Sequence, residues 1–401
     1  MNYFLFIIKS AAFDFSRNKG RTFLTSLGIL IGVLSVVLLT AFGLGLKKYI
    51  ADQFESLGTN LLRVLPGQPL RSGGFSGGPS SFGTIHFEEK DVVKLSRLRS
   101  LEVVVPVYYK SMDVVAGKNT EFATVYMTNS DVFKAINLNT EYGAPFTKQD
   151  VEKRSKVVVI GPKIAENLFA DQKAAVDRSL KIEGQTFKVL GVLGAKGGGF
   201  GGPDLDSFIY MPYKTGYIFN TDKQFIILIL KVKSDQSIET AKTEANDILL
   251  KRFKKDDFSI VEQGEILSAI NSIFAVLNTV LIAIAAISLV VGGIGIMNIM
   301  YVTVTERIKE IGIRRALGAR KKDILYQFLV ESVILSLLGG LMGLLLAALI
   351  ILFVQRFFPA YIDLQSIMLA LGVSSAIGVI FGVFPAKKAA DLAPIEAIRY
   401  E

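Results

Sequence analysis

The chain has no cysteine and only one histidine among its 401 residues. Without a thiol there is no disulfide, no thiolate nucleophile and no thiolate metal site. His86 has no second imidazole near it in sequence and reads as an exposed turn residue rather than a ligand or a base. No GxxxxGK precedes a Ser or Thr, so no phosphate-binding loop is present. The many Ser, Asp and Glu residues fall into no nucleophile elbow or paired motif. No catalytic set can be assembled from these residues.

Charge is missing in long runs. Four windows, 22–46, 266–305, 332–355 and 364–386, hold no Asp, Glu, Lys or Arg. Each is long enough for the ~20 residues that cross a bilayer as a helix. The alternative is four buried helices of a large soluble core, but such helices rarely run past about a dozen residues without a charge.

Lys and Arg beside the windows set an orientation. Before the first stand Lys9, Arg17, Lys19 and Arg21 against Asp14. Between the second and third stand Arg307, Lys309, Arg314, Arg315, Arg320, Lys321 and Lys322 against Glu306, Glu310 and Asp323. The link between the third and fourth has only Arg356 and Asp363, and Lys387 and Lys388 follow the fourth. Both termini are thus expected in the cytoplasm of a multi-pass protein of the cell membrane, with 47–265 as one extracytoplasmic domain. The formal net charge of +9 is accounted for by this orientation and not by a nucleic-acid surface. No cleavable signal peptide is evident, and residues 1–20 space Phe4, Ile8, Ala11 and Phe15 for an interfacial helix, with a disordered tail as the alternative.

The external segment reads as α+β. "NLLRVLPG" (60–67), "EEKDVVKLSRL" (88–98) and "EVVVPVYYK" (102–110) give strand, helix, strand, and the order returns at 225–233, 238–253 and 258–263. A split βαβ subdomain is expected, with a strand-rich insertion carrying 156–169, 179–193 and 207–212. The glycine-rich pieces 71–83 and 194–203 read as flexible loops, or as partner contacts through Phe75, Phe82 and Phe200.

The windows hold small-residue spacings suited to close helix contact: Gly28 with Gly32, Gly339 with Gly343 and Gly378 with Gly382, together with Gly292 and Gly295. The second window is too long for a membrane of roughly 30 Å, so its first part is expected to stand above the bilayer as a stalk. A similar stalk, 47–57, follows the first. The domain map is therefore an interfacial helix at 1–20, spans at 21–46, 276–302, 324–355 and 364–386, a cytoplasmic segment at 303–323 and a tail at 387–401.

"NKGRTFLTSLGILIGVLSVVLL" (18–39), "GTNLLRVLPGQ" (58–68), the block 292–340 containing "TERIKEIGIRRALGARKKDIL" and "FPAKKAADLAPIEAIRYE" (384–401) resemble the permease of MacB-type ABC transporters, within the FtsX-like permease group. The resemblance runs from end to end in order. It implies four spans, a dimer, a porter-like part with an inserted part outside, and mechanotransmission: closure of cytoplasmic ATPase subunits moves the stalks without carrying substrate through the membrane. MacB carries its ATPase at the N-terminus of the same chain. Here the ATPase, with its ATP and Mg, is expected on a separate chain, and no cofactor on this one. Partners implied are that ATPase, a second copy, membrane lipid and an extracytoplasmic adaptor.

The same resemblance makes Glu306, Glu310, Ile311, Gly312, Ile313, Arg314, Arg315, Leu317 and Gly318 the piece that docks on the ATPase. From the residues alone, Glu310 and Arg314 are spaced i,i+4, the regularly placed Ile308, Ile311, Ile313 and Leu317 need another surface, and Gly312 and Gly318 permit a bend. An ordinary positive-inside loop explains the basic residues but not the isoleucines. Three functions remain: an exporter subunit for peptides, antibiotics or lipid-linked molecules; an FtsX-like signalling subunit that switches a cell-wall hydrolase; and a membrane-anchored enzyme, disfavoured by the missing catalytic set.

Overall fold

The computed structural model describes residues 19–56, 58–71, 74–75, 85–197, 204–394 and 397. The interfacial-helix reading before Lys19, the loop tips Phe82 and Phe200 and the tail beyond 397 lie outside the described residues. The chain forms two compact units, one of residues up to Lys48 with Phe274–Glu401 and one of Tyr49–Ile273.

The first unit is helical. Its helices are α1 (Lys19–Ser56), α2 (Gln263–Glu306), α3 (Ile308–Ala316), α4 (Lys321–Val354) and α5 (Leu364–Asp391), and the unit boundaries fall inside α1 and α2. All but α3 are long and apolar enough to cross a membrane. Ile29, Val33, Leu289, Ile296, Phe328, Leu335 and Ile377 form part of one apolar cluster. Contact is closest where glycines remove the side chain. A Cβ on Gly28 would stand 2.7 Å from Gly292 Cα, and a Cβ on Gly339 or Gly343 would stand 2.8 Å from Ser26 O or 2.7 Å from Leu30 O. α1 therefore meets α2 and α4 almost backbone to backbone, as small residues allow in membrane helices. Gly32 packs on the Leu289 side chain. Gly295 faces open space, so the structure assigns it no packing role, unlike its neighbour Gly292. Between α4 and α5, the Ser332 hydroxyl donates to Gly378 O at 2.9 Å.

The second unit is built on a ten-stranded sheet, ordered β12-β1-β11-β4-β5-β10-β7-β9-β6, with β8 pairing with β4 and β9 off that path. The strands are β1 (Leu61–Pro66), β4 (Leu101–Ala116), β5 (Asn119–Thr128), β6 (Thr140–Gly143), β7 (Val157–Ile160), β8 (Ser179–Ile182), β9 (Gln185–Leu193), β10 (Phe208–Pro212), β11 (Ile227–Val232) and β12 (Phe258–Glu262), while β2 (Leu70–Arg71) and β3 (Gly74–Phe75) pair only with each other. β1, helix Glu89–Leu95 and β4 form one βαβ unit. β11, helix Ile238–Leu250 and β12 form another, and the four strands interleave with antiparallel neighbours, the ferredoxin-like arrangement. Arg252, after the second helix, pairs with Glu88 and Asp91 at the start of the first.

The inserted strands continue the same sheet instead of forming their own. The join is β4, whose first part pairs with β11 and whose remainder pairs with β5 and β8. It reverses into β5 through a two-residue turn led by Gly117 at φ +61, a backbone conformation that glycine reaches at little cost. In its outer part Ser111 and Asp113 are exposed while Met112 and Val114 are buried, the alternation of a sheet wet on one face.

Candidate functional site

Helix α2 ends at Glu306, and Arg307 leaves helical geometry with φ −106 and ψ 12 before α3 begins. This break sets α3 as a separate nine-residue helix between two long ones. At its other end, Gly318 takes φ +102. The Ala319 N–H donates to Arg314 O at 3.1 Å and the Gly318 N–H to Arg315 O at 3.2 Å. Those two bonds satisfy carbonyls of the last turn as in a Schellman motif. Nothing crowds the position a Cβ would take on Gly318, so its requirement for glycine is one of backbone geometry alone. α4 then starts with the Asp323 carboxylate accepting from the Arg320 N–H at 2.9 Å.

α3 has two apolar faces. Ile308, Ile311 and Gly312 are buried within the helical unit, and Ile311, 1 % exposed, shares a cluster with Met300, Val304, Ile324 and Phe328. Ile313 and Leu317 are 51 % and 84 % exposed. With the exposed Lys309 and Ala316 they fall at i, i+4, i+7 and i+8, one stripe of a helix. Ile311 and Gly312 thus have no side available to a partner: the 3.6-residue period turns Ile311 inward and Ile313 outward.

A ladder of charged and polar groups braces α3 against α4. Arg307 Nη1 reaches Glu331 Oε1 at 3.2 Å, and its Nε lies 3.5 Å from Glu310 Oε2. Glu310 Oε1 accepts from Arg314 Nη2 at 2.6 Å, and Arg314 Nη1 donates to Gln327 Oε1 at 2.8 Å. Glu331 is buried, 4 % exposed, and lies about 15 Å along α4 from Lys321 at 1.5 Å per residue. An ionised carboxylate so placed persists only when paired. Arg315 Nε is shielded from solvent and has no acceptor among the described residues. At the end of α5, the hydrogen bond from Lys321 to Asp391 holds that carboxyl below its usual range.

Of the sequence-derived set, Glu310 and Arg314 stand in the ladder, Ile313 and Leu317 form the exposed stripe, and Gly318 makes the turn. Glu306 is exposed at the end of α2. Arg307, Gln327 and Glu331 were not in the set. The signal for Glu331 is a lone carboxylate inside an otherwise apolar helix; a charge-free window that opens at residue 332 passes just beyond it.

Four membrane-grade helices with a strand-rich extracytoplasmic domain define a multi-pass membrane protein. The MacB-like periplasmic core domain family matches residues 22–248, and the FtsX-like permease C-terminal family matches residues 282–394. The chain belongs to the family of MacB-like, FtsX-like permeases. The macrolide export ATP-binding/permease protein MacB of Wolinella succinogenes is 36 % identical over 397 residues, covering 98 % of this chain and 60 % of that protein. The protein of the same name from Bdellovibrio bacteriovorus is 36 % identical over 394 residues, covering 96 % and 60 %. The chain thus spans about three fifths of the length of the curated relatives it matches. The crystal structure of the periplasmic region of MacB from Actinobacillus actinomycetemcomitans covers 56 % of this chain and 98 % of its own at 21 % identity and a TM-score of 0.46.

Proposed function

We propose that the chain is the permease part of a MacB-like ABC exporter, a dimer that couples ATP hydrolysis by a cytoplasmic ATP-binding subunit or domain to movement of the extracytoplasmic unit. The amino terminus, α3 and the carboxyl terminus face the cytoplasm. The movement drives efflux of amphiphilic molecules such as macrolides, peptides or lipid-linked compounds, with an extracytoplasmic adaptor as a further partner. ATP and its Mg stay on the ATP-binding partner.

The observation that carries this reading is the exposed Ile313–Leu317 stripe on a short helix braced from behind by the Arg307–Glu331 and Arg314–Gln327 contacts. An apolar stripe between charged neighbours fits a protein surface better than water. α1 and α2 run without a break from membrane-grade sequence into the strand-rich unit, a route for displacement. The second copy lies on α2, where Val280, Ile284, Ile287 and Val291 repeat at spacings of four, three and four and are all exposed, and lipid covers the remaining apolar faces.

Ile313→Asp tests the docking role. A carboxylate in a desolvated contact costs several kcal/mol, so copurification of the ATP-binding chain and export activity should both be lost at matched membrane levels. Lys322→Gln removes an exposed charge and should leave both intact; Lys321 is less suitable, because it pairs with Asp391. Retention of both activities in Ile313→Asp would make the segment an orientation signal only.

A further inference from the structure

The strand-rich unit holds an open cleft of about 430 Å³ between the turn after helix Lys148–Glu152 and the helix Tyr213–Gly216 with the residues that follow it. Arg154, Lys156, Lys214 and Lys223 line it, with Tyr217 and Ile218. No Asp or Glu lines it among the described residues. Lys214 is neutralised from behind by Glu152 at 2.6 Å and Glu89 at 3.7 Å. Lys156 donates to the uncharged Gln185 at 3.0 Å. The ammonium of Lys223 sits 5.8 Å over the Tyr217 ring. Neither Lys223 nor the guanidinium of Arg154 has a hydrogen-bond or ion-pair partner among the described residues. Three cations therefore face one concave space with no carboxylate in direct contact with them, and the cleft keeps a net positive charge after Glu89 and Glu152 are counted.

Solvated lysines usually spread over a convex surface, where their mutual repulsion is screened. Gathered around a cleft, they raise its potential and concentrate anions. Arg154 adds a second oddity, since it holds φ +53, a region where glycine or asparagine is preferred. Guanidinium and ammonium groups together match the oxygens of a phosphate. The apolar wall is formed by Tyr217, whose hydroxyl donates to Glu89 at 3.4 Å, and by Ile218, 48 % exposed.

We propose that this cleft binds a phosphate-bearing anion, with Arg154, Lys156 and Lys223 on the phosphate oxygens and Tyr217 and Ile218 against the group the phosphate is attached to. Its volume is within the range of small-ligand pockets. The ligand is either a soluble phosphate compound or the phosphate headgroup of a lipid. The site lies wholly within the strand-rich unit and is independent of the coupling role of α3.

The test uses the full chain in nanodiscs of zwitterionic phosphatidylcholine, titrated calorimetrically with pyrophosphate and, separately, with monomeric dihexanoyl phosphatidic acid. Binding should weaken with added salt. In the double variant Arg154→Gln, Lys223→Gln it should fall by about tenfold or more, since two charge-assisted hydrogen-bond donors are removed. Lys118→Gln, at the exposed β4–β5 turn, should bind as the parent does, and matched melting curves confirm that the variants are folded. Ile218→Ser separates the sources. Loss of affinity for phosphatidic acid alone assigns a lipid, and unchanged affinity for both probes assigns a soluble phosphate compound; either keeps the anion site. Equal binding by the double variant and the parent, or no binding of either probe at millimolar concentration, overturns the proposal.

Discussion

In the helical unit, helices meet where side chains are missing: Gly28 on Gly292, and Gly339 and Gly343 on the carbonyls of Ser26 and Leu30. In the strand-rich unit, the opposite holds. Its core is made of large groups such as Phe87, Phe146, Phe187 and Tyr210, all but fully buried. Lipid is as apolar as leucine, so burial of side chains gives membrane helices little reason to associate, and close backbone approach with polar contacts must serve instead. Water outside the membrane makes burial itself the main source of stability. The difference predicts which changes each unit tolerates.

The largest effect should come from the Arg307–Glu331 ion pair of the helical unit, whose carboxylate is buried. Glu331→Ala removes one of the carboxylates on Arg307, which keeps Glu310, so the loss should approach the ~3–5 kcal/mol of a broken buried pair. Denaturant titration followed by helical circular dichroism should show the loss. The strand-rich unit, followed by protease resistance of residues 49–273, should be unchanged. A parallel loss there would break the comparison, because the two units would then share their stability.

Gly28→Leu should rank next, at about 1–3 kcal/mol or more, since overpacking must push α1 from α2. Gly295→Leu, which meets open space, should cost far less at the same measurement. Similar losses for both would mean that close approach is not what holds the helices.

Gly318→Ala should cost about 1–3 kcal/mol locally through its left-handed backbone alone. It is read as weaker amide-exchange protection at the end of α3, and Gly318→Asn should recover part of it.

The smallest effect concerns Asp363, which caps α5 by accepting from the Ser366 hydroxyl and, at 2.9 Å, the Ser366 N–H. These bonds hold its carboxyl below the usual range. A depressed folded value means the contribution is present above the unfolded pKa of about 3.9 and is lost as pH falls through the lower folded value. Asp363→Asn keeps an acceptor and should remove this pH dependence of helical signal.

The two units also differ in how legible they are. The four long helices stand out in sequence because water-soluble helices seldom run this far without a charge. Close packing is legible at Gly28 and Gly339 but not distinguishable from the open position of Gly295, since spacing says nothing of what lies opposite. For α3, four apolar residues counted together fall on two faces, and only the phase set by the break at Arg307 decides which isoleucine turns inward. In the sheet, a strand expected at 102–110 runs on to Ala116. Its outer half hides behind the exposed Lys110 and behind Ser111 and Asp113, which belong to the wet face. Helices of four or five residues, such as Asp131–Ala135 and Lys148–Glu152, are too short to show a period.

β4 has a mechanical consequence. Sixteen residues at about 3.3 Å each make a strand some 50 Å long, and both halves of the sheet hang from it. To hinge one half against the other, the chain would have to break ladder bonds to β11, β5 or β8. If the unit is displaced at one end, as the proposed coupling requires, β4 would carry the displacement as a tilt of the sheet rather than a bend within it.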